Sequence, residues 1–387
     1  MKRPEHRPSS AEEQMILLSA GTASRREAGR EQAAQLGASV DWSRVAALLD
    51  TRRLLPTLGP RVIELAGGDS SEEFSTIVTR ALDAGRRQGA VLQLIAERVT
   101  AALTGAGIRC SPLKGPSLSE VLYGDLGRRP SADIDLLVAP EQLHRAVEVV
   151  RGLGYAAPTD HVEDDGLPLL HFTLIHEDDQ LPPVELHWRI HWYEQSFARD
   201  RLLVPSEGPT GRWRPAPLDE LIALLLFYAR DGFISLRYAV DIGAWWDAFG
   251  ASLQPGALEE SIRAYPALGP VLLAAARVAE KTVGLPSAHL AKSGAKLGVR
   301  GRIAVRLADP YPHSSEAQLY ADIGLIDGLL APRGGFRAFV KRQVAPREAE
   351  QEHALEVGWA RGSSTMGHSV RVLSRYGLAM IRLLGGS

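Results

Sequence analysis

One stretch of the sequence, residues 113–138, constrains the fold more than any other; it reads LKGPSLSEVLYGDLGRRPSADIDLLV. A short apolar run leads into Lys114 and Gly115, a predicted helix follows, and a loop rich in glycine and arginine then leads into a second apolar run. That second run begins with Asp133 and Asp135, and both carboxylates are expected on one face because side chains alternate across a strand. The pattern predicts a strand, a helix and a second strand that presents two acids together.

Paired acids beside a glycine that opens a helix suit a site for a divalent metal ion and phosphate. A later run, PVELHWRIHW over residues 183–192, predicts a strand with one apolar face and one polar face, the latter carrying Glu185, His187 and Arg189. If this strand lies beside the first, Glu185 is a third carboxylate within reach of the same metal ions. Three such acids can hold two Mg²⁺ ions roughly 3.5–4 Å apart, which clamp the attacking and leaving oxygens of a phosphoryl displacement.

The composition argues against several classes of protein. The formal net charge of −2 gives no general attraction to nucleic acid or to an anionic membrane, and the 45% hydrophobic fraction is enough for a sizeable core. The single cysteine, Cys110, excludes an internal disulfide and fits a reducing compartment. The first residues lack an apolar leader, and the most apolar run, Leu221–Phe227, is too short to cross a bilayer. We therefore expect a soluble cytoplasmic protein without a membrane span and do not expect a nucleic acid partner.

Four motifs together resemble a known family. They are K-G-x-x-L from Lys114, L-Y-G-D-x-G-x-R from Leu122, D-I-D-L-L-V from Asp133 and V-E-L-H-W from Val184. A helical segment that carries Asp241 completes the pattern. Over roughly residues 90–250, the combination resembles the bacterial uncharacterised nucleotidyltransferase family of the DNA-polymerase-β-like superfamily.

The resemblance implies an α+β fold, with a polymerase-β-like nucleotidyltransferase core that has a small mixed sheet, flanked by N-terminal and C-terminal helical regions. The apolar periodicity predicts strands over residues 108–113, 133–138, 170–175 and 184–190. It predicts helices over residues 11–20, 71–103, 141–153, 218–230, 236–249, 258–265, 271–283 and 370–384. We expect a disordered tail (1–9), an N-terminal helical region (10–105), the nucleotidyltransferase catalytic core (106–200), a helical domain that completes the cleft (201–310) and a C-terminal helical extension (311–387).

The resemblance also implies roles for the acids. Asp133 and Asp135 would bind the two catalytic metal ions, Mg²⁺ or Mn²⁺, with Glu185 as the third carboxylate. One ion, with Glu185, would activate an acceptor hydroxyl toward the α-phosphate of a nucleoside triphosphate, with ATP the expected nucleotide, and pyrophosphate would leave. The expected acceptor is a small hydroxylated molecule, which fits the neutral charge better than tRNA does, and a protein acceptor stays open.

The phosphate-binding part departs from the superfamily pattern, which usually has Gly-Ser at the start of the helix. Here Lys114-Gly115 stands in that place, followed by a proline and Ser117. Lys114 can supply a point charge, and Gly115, Ser117 and the helix amides can bind phosphate oxygens. Arg128 and Arg129, in the loop before the acids, can neutralise triphosphate charge. Lys114 could instead be an ordinary exposed lysine. Arg128 and Arg129 could instead be solvated or contact the C-terminus of a helix.

Other interpretations remain open. A non-catalytic protein could use the same fold to bind a nucleotide or a partner protein, although such a module does not need three metal-binding acids. His171, His176, His187 and His191 could suggest a zinc-dependent hydrolase, but their spacing matches no tight ligand motif, which favours core or surface histidines. For Asp241, a buried polar contact is favoured over a place in the cleft. The arginines of the predicted last helix could suggest a membrane-surface helix, and ordinary packing is favoured.

Overall fold

The computed structural model contains a small mixed sheet set among helices. It describes residues 10–156, 170–194, 196–203, 206–207, 213–291, 296–309 and 316–332. The helices are α1 Ala11–Ser19, α2 Ala23–Ala28, α3 Arg30–Gly37, α4 Trp42–Thr51, α5 Leu55–Leu65, α6 Glu72–Gly105, α7 Pro116–Tyr123, α8 Leu143–Arg151, α9 Pro217–Arg230, α10 Leu236–Phe249, α11 Ala257–Ala264, α12 Gly269–Val283, α13 Ser287–Leu290, α14 Val299–Leu307 and α15 Glu316–Leu330. The strands are β1 Cys110–Pro112, β2 Ile134–Val138, β3 His171–Leu174, β4 Val184–His187, β5 Ser206–Glu207 and β6 Trp213–Arg214.

The chain divides into two compact units. The larger unit comprises residues 9–223 and 240–252, and it contains helices α1 to α8 and the whole mixed sheet. The smaller unit comprises residues 224–239 and the described residues from 253 onward, so that α9 and α10 each contribute to both units. Within the smaller unit, α12 packs against α14 and α15. The features of interest for function lie in the larger unit.

The mixed sheet has the strand order β1-β2-β4-β3. Strand β1 pairs with β2 antiparallel, β2 pairs with β4 parallel, and β3 pairs with β4 antiparallel. In the parallel pair, Asp135 lies opposite Glu185. Because side chains alternate along both strands, this register places the two carboxylates on the same face of the sheet.

The other face of the sheet belongs to a hydrophobic core cluster of the larger unit. Strands β2 and β4 direct their apolar residues toward α6 and α8, which cover this face. The buried core residues include Ile134, Leu136, Val138, Val184, Leu186, Leu92, Val99, Leu103, Ala146, Val147 and Val150. The two faces of β4 are therefore oriented as predicted: its apolar residues lie in the core, and Glu185 and His187 lie on the opposite face.

Helix α6 packs closely on the loop that precedes β2. The hydroxyl of Ser71 caps the helix by accepting a hydrogen bond from the Phe74 backbone N–H at 3.1 Å. A side chain at Gly89 would place its Cβ 2.8 Å from the carbonyl oxygen of Leu126, and one at Gly85 would collide with the carbonyl of Gly127. These glycines let the helix backbone approach the loop that leads to the paired acids.

The predicted α+β fold is confirmed, and the four strands of the sheet occur where the sequence predicts them. They are shorter than predicted: the backbone N–H of Ile108, for example, donates to Leu103 at 2.9 Å and so continues the end of α6 instead of starting β1. The predicted tail, 1–9, and the predicted last helix, 370–384, lie outside the described residues. The region boundaries expected from the sequence stay predictions. Among the described residues, no helix is both long enough and apolar enough to cross a membrane.

Candidate active site

Three carboxylates converge where the parallel strands β2 and β4 run side by side. Asp135 of β2 is in register with Glu185 of β4, and Asp133 directly precedes β2. One oxygen from each of the three carboxylates lies within 4.8 Å of those of the other two. The parallel pairing supplies the adjacency that the sequence offered only as a hypothesis, and it brings the three predicted acids together.

Asp135 is the most enclosed part of this group, with no side-chain surface exposed. Its Oδ1 atom accepts from Lys114 Nζ at 2.9 Å and from His187 Nε2 at 2.9 Å. Its Oδ2 atom is buried and has no hydrogen-bond partner among the described residues. Burial would raise the pKa of Asp135, but the charge of Lys114 and the hydrogen bond from His187 outweigh it and hold the pKa well below its usual range. Asp135 is therefore ionised at neutral pH.

His187 links Asp135 to the third carboxylate. Its Nε2 atom lies 3.1 Å from Glu185 Oε2 as well as 2.9 Å from Asp135 Oδ1. Since ionised carboxylates only accept hydrogen bonds, Nε2 carries the hydrogen. Burial would raise the pKa of Glu185, but the hydrogen bond from His187 and the nearby His171, 3.8 Å from the carboxylate, lower it. Glu185 is thus also held in its ionised form.

Asp133 is positioned by the loop that precedes β2. Its Oδ1 atom accepts from the hydroxyl of Ser131 at 2.8 Å. The Gln88 side chain of α6 donates to the carbonyl of Ser131 at 2.9 Å, which ties this part of the loop to the helix. The hydroxyl of Ser119 in α7 donates to the carbonyl of Asp125 at 2.6 Å and accepts from a backbone N–H further along the loop. The loop is therefore fixed by hydrogen bonds to two helices.

The turn between β1 and α7 places the predicted phosphate-binding residues. Gly115 precedes the first turn of α7 with a φ of 85°, a conformation that residues with a side chain rarely adopt. Pro116 takes the first helical position, where a missing N–H does no harm. Lys114 reaches from this turn to Asp135, and Gly115 and Ser117 line the neighbouring cavity.

The two predicted arginines make contacts elsewhere in the larger unit. Arg129 Nε donates to Asp241 Oδ2 at 2.7 Å, and both side chains are completely buried. The hydroxyl of Tyr123 donates to the other oxygen of Asp241, also at 2.7 Å. Arg128 donates to the carbonyl of Thr57 at 2.9 Å. The buried polar contact favoured for Asp241 is confirmed, while a role for the arginines in neutralising triphosphate stays a prediction.

A cavity of about 750 Å³ adjoins the acids. Its walls include Asp133 and Asp135 on one side and the Lys114-to-Ser117 turn on another. Helix α6 contributes a third wall, which carries Glu97, Thr100, Ala101 and Thr104. A volume of this size is typical of pockets that hold a nucleotide or another small molecule.

Sequence reasoning places His187 on the polar face that carries Glu185 and weighs it as a zinc ligand or as an ordinary core or surface residue. It misses the hydrogen bonds that His187 makes to Asp135 and Glu185. A usable signal was present: His187 follows Glu185 by two positions on the polar face of a strand, so both side chains point the same way. For Lys114 the sequence leaves open a phosphate ligand and an ordinary exposed lysine, and neither interpretation includes its contact with Asp135. Both residues donate to the acid that lies deepest in the group.

Comparison with known proteins agrees with this geometry. The sequence pattern of a family described as uncharacterised nucleotidyltransferase matches residues 38–283. No curated protein and no solved structure matches the chain. The family match spans well over half of the 387 residues and covers the three acids, the Lys114 turn and the loop between them. The chain therefore belongs to the uncharacterised nucleotidyltransferase family.

Proposed function

We propose that this protein transfers a nucleoside monophosphate from a nucleoside triphosphate to a hydroxyl group of a small acceptor and releases pyrophosphate. The observation that carries the proposal is the convergence of Asp133, Asp135 and Glu185 on adjacent strands, beside a helix start and a cavity. Family membership supports the same reaction class. In the balanced reaction, the acceptor oxygen forms a bond to the α-phosphorus as the bond from that phosphorus to the bridging oxygen breaks.

The residues of the site fit a divalent metal ion. Carboxylate oxygens are the ligands that Mg²⁺ and Mn²⁺ prefer, and the buried Oδ2 atom of Asp135 has no hydrogen-bond partner among the described residues. Asp133, Asp135 and Glu185 would hold the metal. When bound, it would stabilise negative charge on the phosphates and lower the pKa of the acceptor hydroxyl.

The protein's own groups would position the reactants. The hydrogen bond from His187 keeps the Glu185 carboxylate in place. Glu185 would both hold the metal and accept the proton of the acceptor hydroxyl. Gly115 and Ser117 lie at the start of α7, where unpaired backbone N–H groups and the helix dipole favour phosphate. Because these groups are fixed before substrate binds, they stabilise the transition state by preorganisation and in-line positioning.

The cavity supports a small acceptor. Its volume of about 750 Å³ suits a nucleotide or a metabolite, and its walls combine apolar surface with hydroxyl and carboxylate groups. The net charge of −2 offers no broad electrostatic attraction for a polyanion such as tRNA. A hydroxylated small molecule is therefore the acceptor class we propose, with a protein hydroxyl as the alternative that the experiment must resolve.

The test is transfer of label from each α-labelled nucleoside triphosphate in the presence of Mg²⁺ or Mn²⁺. Acceptors are supplied as a cell extract separated by size into small molecules, proteins and nucleic acids. Asp133→Asn and Asp135→Asn remove the metal-binding charge while keeping the side-chain size. Asp50→Asn, on the exposed surface of α4, is the matched control.

Label that moves to one fraction in the wild type and Asp50→Asn, but not in the two site variants, would support the proposal and identify the acceptor class. Full turnover in both Asp133→Asn and Asp135→Asn would contradict it. Metal-dependent binding of nucleotide without release of pyrophosphate in any fraction would favour the non-catalytic alternative, a nucleotide-binding protein with the same fold.

A further inference from the structure

Lys114 lies beside the cluster of three carboxylates formed by Asp133, Asp135 and Glu185, and it is not an ordinary exposed lysine. Its Nζ atom is 2.9 Å from Asp135 Oδ1, and only 7% of its side chain is exposed. Bringing an ammonium group out of water is costly unless an anion compensates for the lost hydration. The buried carboxylate of Asp135 supplies that anion, so each charge stabilises the other.

The two oxygens of Asp135 have different surroundings. Lys114 and His187 both donate to Oδ1, while the buried Oδ2 atom has no hydrogen-bond partner among the described residues. A carboxylate that bridges two metal ions offers one oxygen to each. Here Oδ1 already has a cation and a hydrogen-bond donor, so only Oδ2 is open to a metal.

The charges of the group lead to the same result. With His171 and His187 taken as neutral, the carboxylates Asp133, Asp135 and Glu185 contribute three negative charges and Lys114 contributes one positive charge. The remaining two negative charges match a single divalent ion. A second divalent ion at the same acids would leave an excess of positive charge in a largely buried site, which is unfavourable.

We propose that the ammonium group of Lys114 takes the place of one divalent cation at Asp135, so that the protein without nucleotide binds one metal ion. The inference rests on the proposed function for the presence of a divalent-metal site at these acids. A second ion would then arrive with the triphosphate, whose oxygens supply its other ligands. Lys114 is accordingly a positioning residue for Asp135 and not a ligand of phosphate.

The experiment measures Mn²⁺ binding to the full chain without nucleotide, by calorimetry and by electron paramagnetic resonance of free Mn²⁺. We expect one ion per chain in the wild type. Lys114→Met removes the competing charge and should bind its first Mn²⁺ at least about tenfold more tightly, because like charges a few ångströms apart in a buried site repel strongly. Lys114→Arg, which keeps the charge, should stay near the wild type. The exposed Lys281→Met is the matched control.

Thermal unfolding gives a second readout that does not depend on activity. Without metal, Lys114→Met leaves Asp135 without its cation and should unfold at a lower temperature than the wild type. Mn²⁺ should restore that stability, since it compensates for the same carboxylate. The double variant Lys114→Met/Asp135→Asn should lose this rescue. If Lys114→Met does not fold in chelator, refolding on addition of Mn²⁺ is the same measurement.

Two ions on the wild type, or a Lys114→Met variant with wild-type Mn²⁺ affinity and no extra stabilisation by Mn²⁺, would overturn the inference and leave the proposed function intact. If Lys114→Met lowered the affinity for ATP but left the affinity for Mn²⁺ unchanged, the inference would be wrong and Lys114 would be a phosphate ligand. Absence of Mn²⁺ binding to the wild type would overturn both the inference and the metal site of the proposed function.

Discussion

Arg129 and Asp241 form an ion pair between residues 112 positions apart, and neither side chain reaches solvent. Removing one partner of a buried pair leaves the other charge without compensation, which typically costs about 3–5 kcal/mol. Arg129→Met should therefore lower the free energy of unfolding by about that amount. Urea denaturation measures the change, with the exposed Arg87→Met of α6 as control. Equal unfolding midpoints for the two variants would show that the pair does not stabilise the fold.

At the residue scale, the sequence predicts the identity of the acids better than the partners of the cations. Asp133 and Asp135 follow from strand alternation, which is a local property of the chain. The directions of Lys114 and Arg129 depend on partners that only the folded chain brings near. Asp135 lies across a strand pairing from Lys114, and Asp241 lies on a helix far along the sequence. No spacing rule connects such residues, so a single sequence could not separate phosphate ligands from internal ion pairs.

At the scale of secondary-structure elements, the packing of α6 on the loop before β2 requires glycine at the contact. In most helices, replacing glycine by alanine stabilises by up to about 1 kcal/mol. At Gly89 the new Cβ would lie 2.8 Å from the carbonyl oxygen of Leu126, so the loop would have to move. We expect Gly89→Ala to lower the free energy of unfolding by about 1–3 kcal/mol, the usual range for overpacking.

Gly105 provides the matched control, because it ends the same helix and no atom lies within 4 Å of its would-be Cβ. Gly105→Ala should leave stability unchanged or raise it slightly. Chemical denaturation of both variants tests the comparison. A Gly89→Ala variant as stable as Gly105→Ala would contradict a tight contact between helix and loop.

The same loop is tied to α6 by an ion pair that makes stability depend on pH. Arg86 of α6 donates to Asp125 Oδ2 through Nε at 2.9 Å and Nη2 at 2.6 Å. These hydrogen bonds lower the pKa of Asp125 despite its partial burial. Since the pKa is lower in the folded than in the unfolded protein, the stabilisation is complete above the unfolded value of about 3.9 and is lost as the pH falls through the folded value.

Asp125→Asn should therefore melt at a lower temperature than the wild type at pH 7, and the difference should shrink as the pH falls below about 4. The substitution keeps an oxygen that can accept from the Gly127 backbone N–H, so it isolates the effect of charge. Thermal unfolding at a series of pH values measures it. A difference that stays constant down to pH 3 would exclude the ion pair as its cause.

The elements themselves were largely predictable because their signals are local. Alternation gave the strands around Asp135 and Glu185, and apolar spacing gave helices such as α6 and α10 to within a few residues. The order β1-β2-β4-β3 could not be read from the sequence, since pairing is set by contacts between distant segments. That order brings Glu185 next to Asp135. The sequence could therefore suggest Glu185 as the third acid, but only the sheet shows that it lies beside Asp135.

At the scale of the whole molecule, the larger unit contains the acids, the helix start and the cavity. Under the proposed function, the sheet and α7 would supply the groups that act on the reacting atoms, and α6 would supply a wall of the cavity. Residues that contact parts of the ligand remote from the reacting atoms determine which substrate binds, and they do not change the type of reaction. Substrate selection should therefore respond to changes on α6 that leave the acids untouched.

Ala101 tests this division of roles, because it is an exposed residue of α6 that lines the cavity. Ala101→Trp fills space in the cavity without disturbing the core, so the melting temperature should stay at the wild-type value. Binding of the substrate that occupies this space should weaken by about tenfold or more, seen as a higher KM with a smaller change in kcat. Ala90→Trp, an exposed alanine of the same helix that is not among the cavity residues, is the control. Titration with labelled ATP and rates of pyrophosphate release show which substrate occupies the cavity. Weaker ATP binding assigns the cavity to the nucleotide. A raised KM for the acceptor alone assigns it to the acceptor. If both quantities matched those of Ala90→Trp, the cavity would be neither substrate's binding site, and specificity would have to arise elsewhere in the chain.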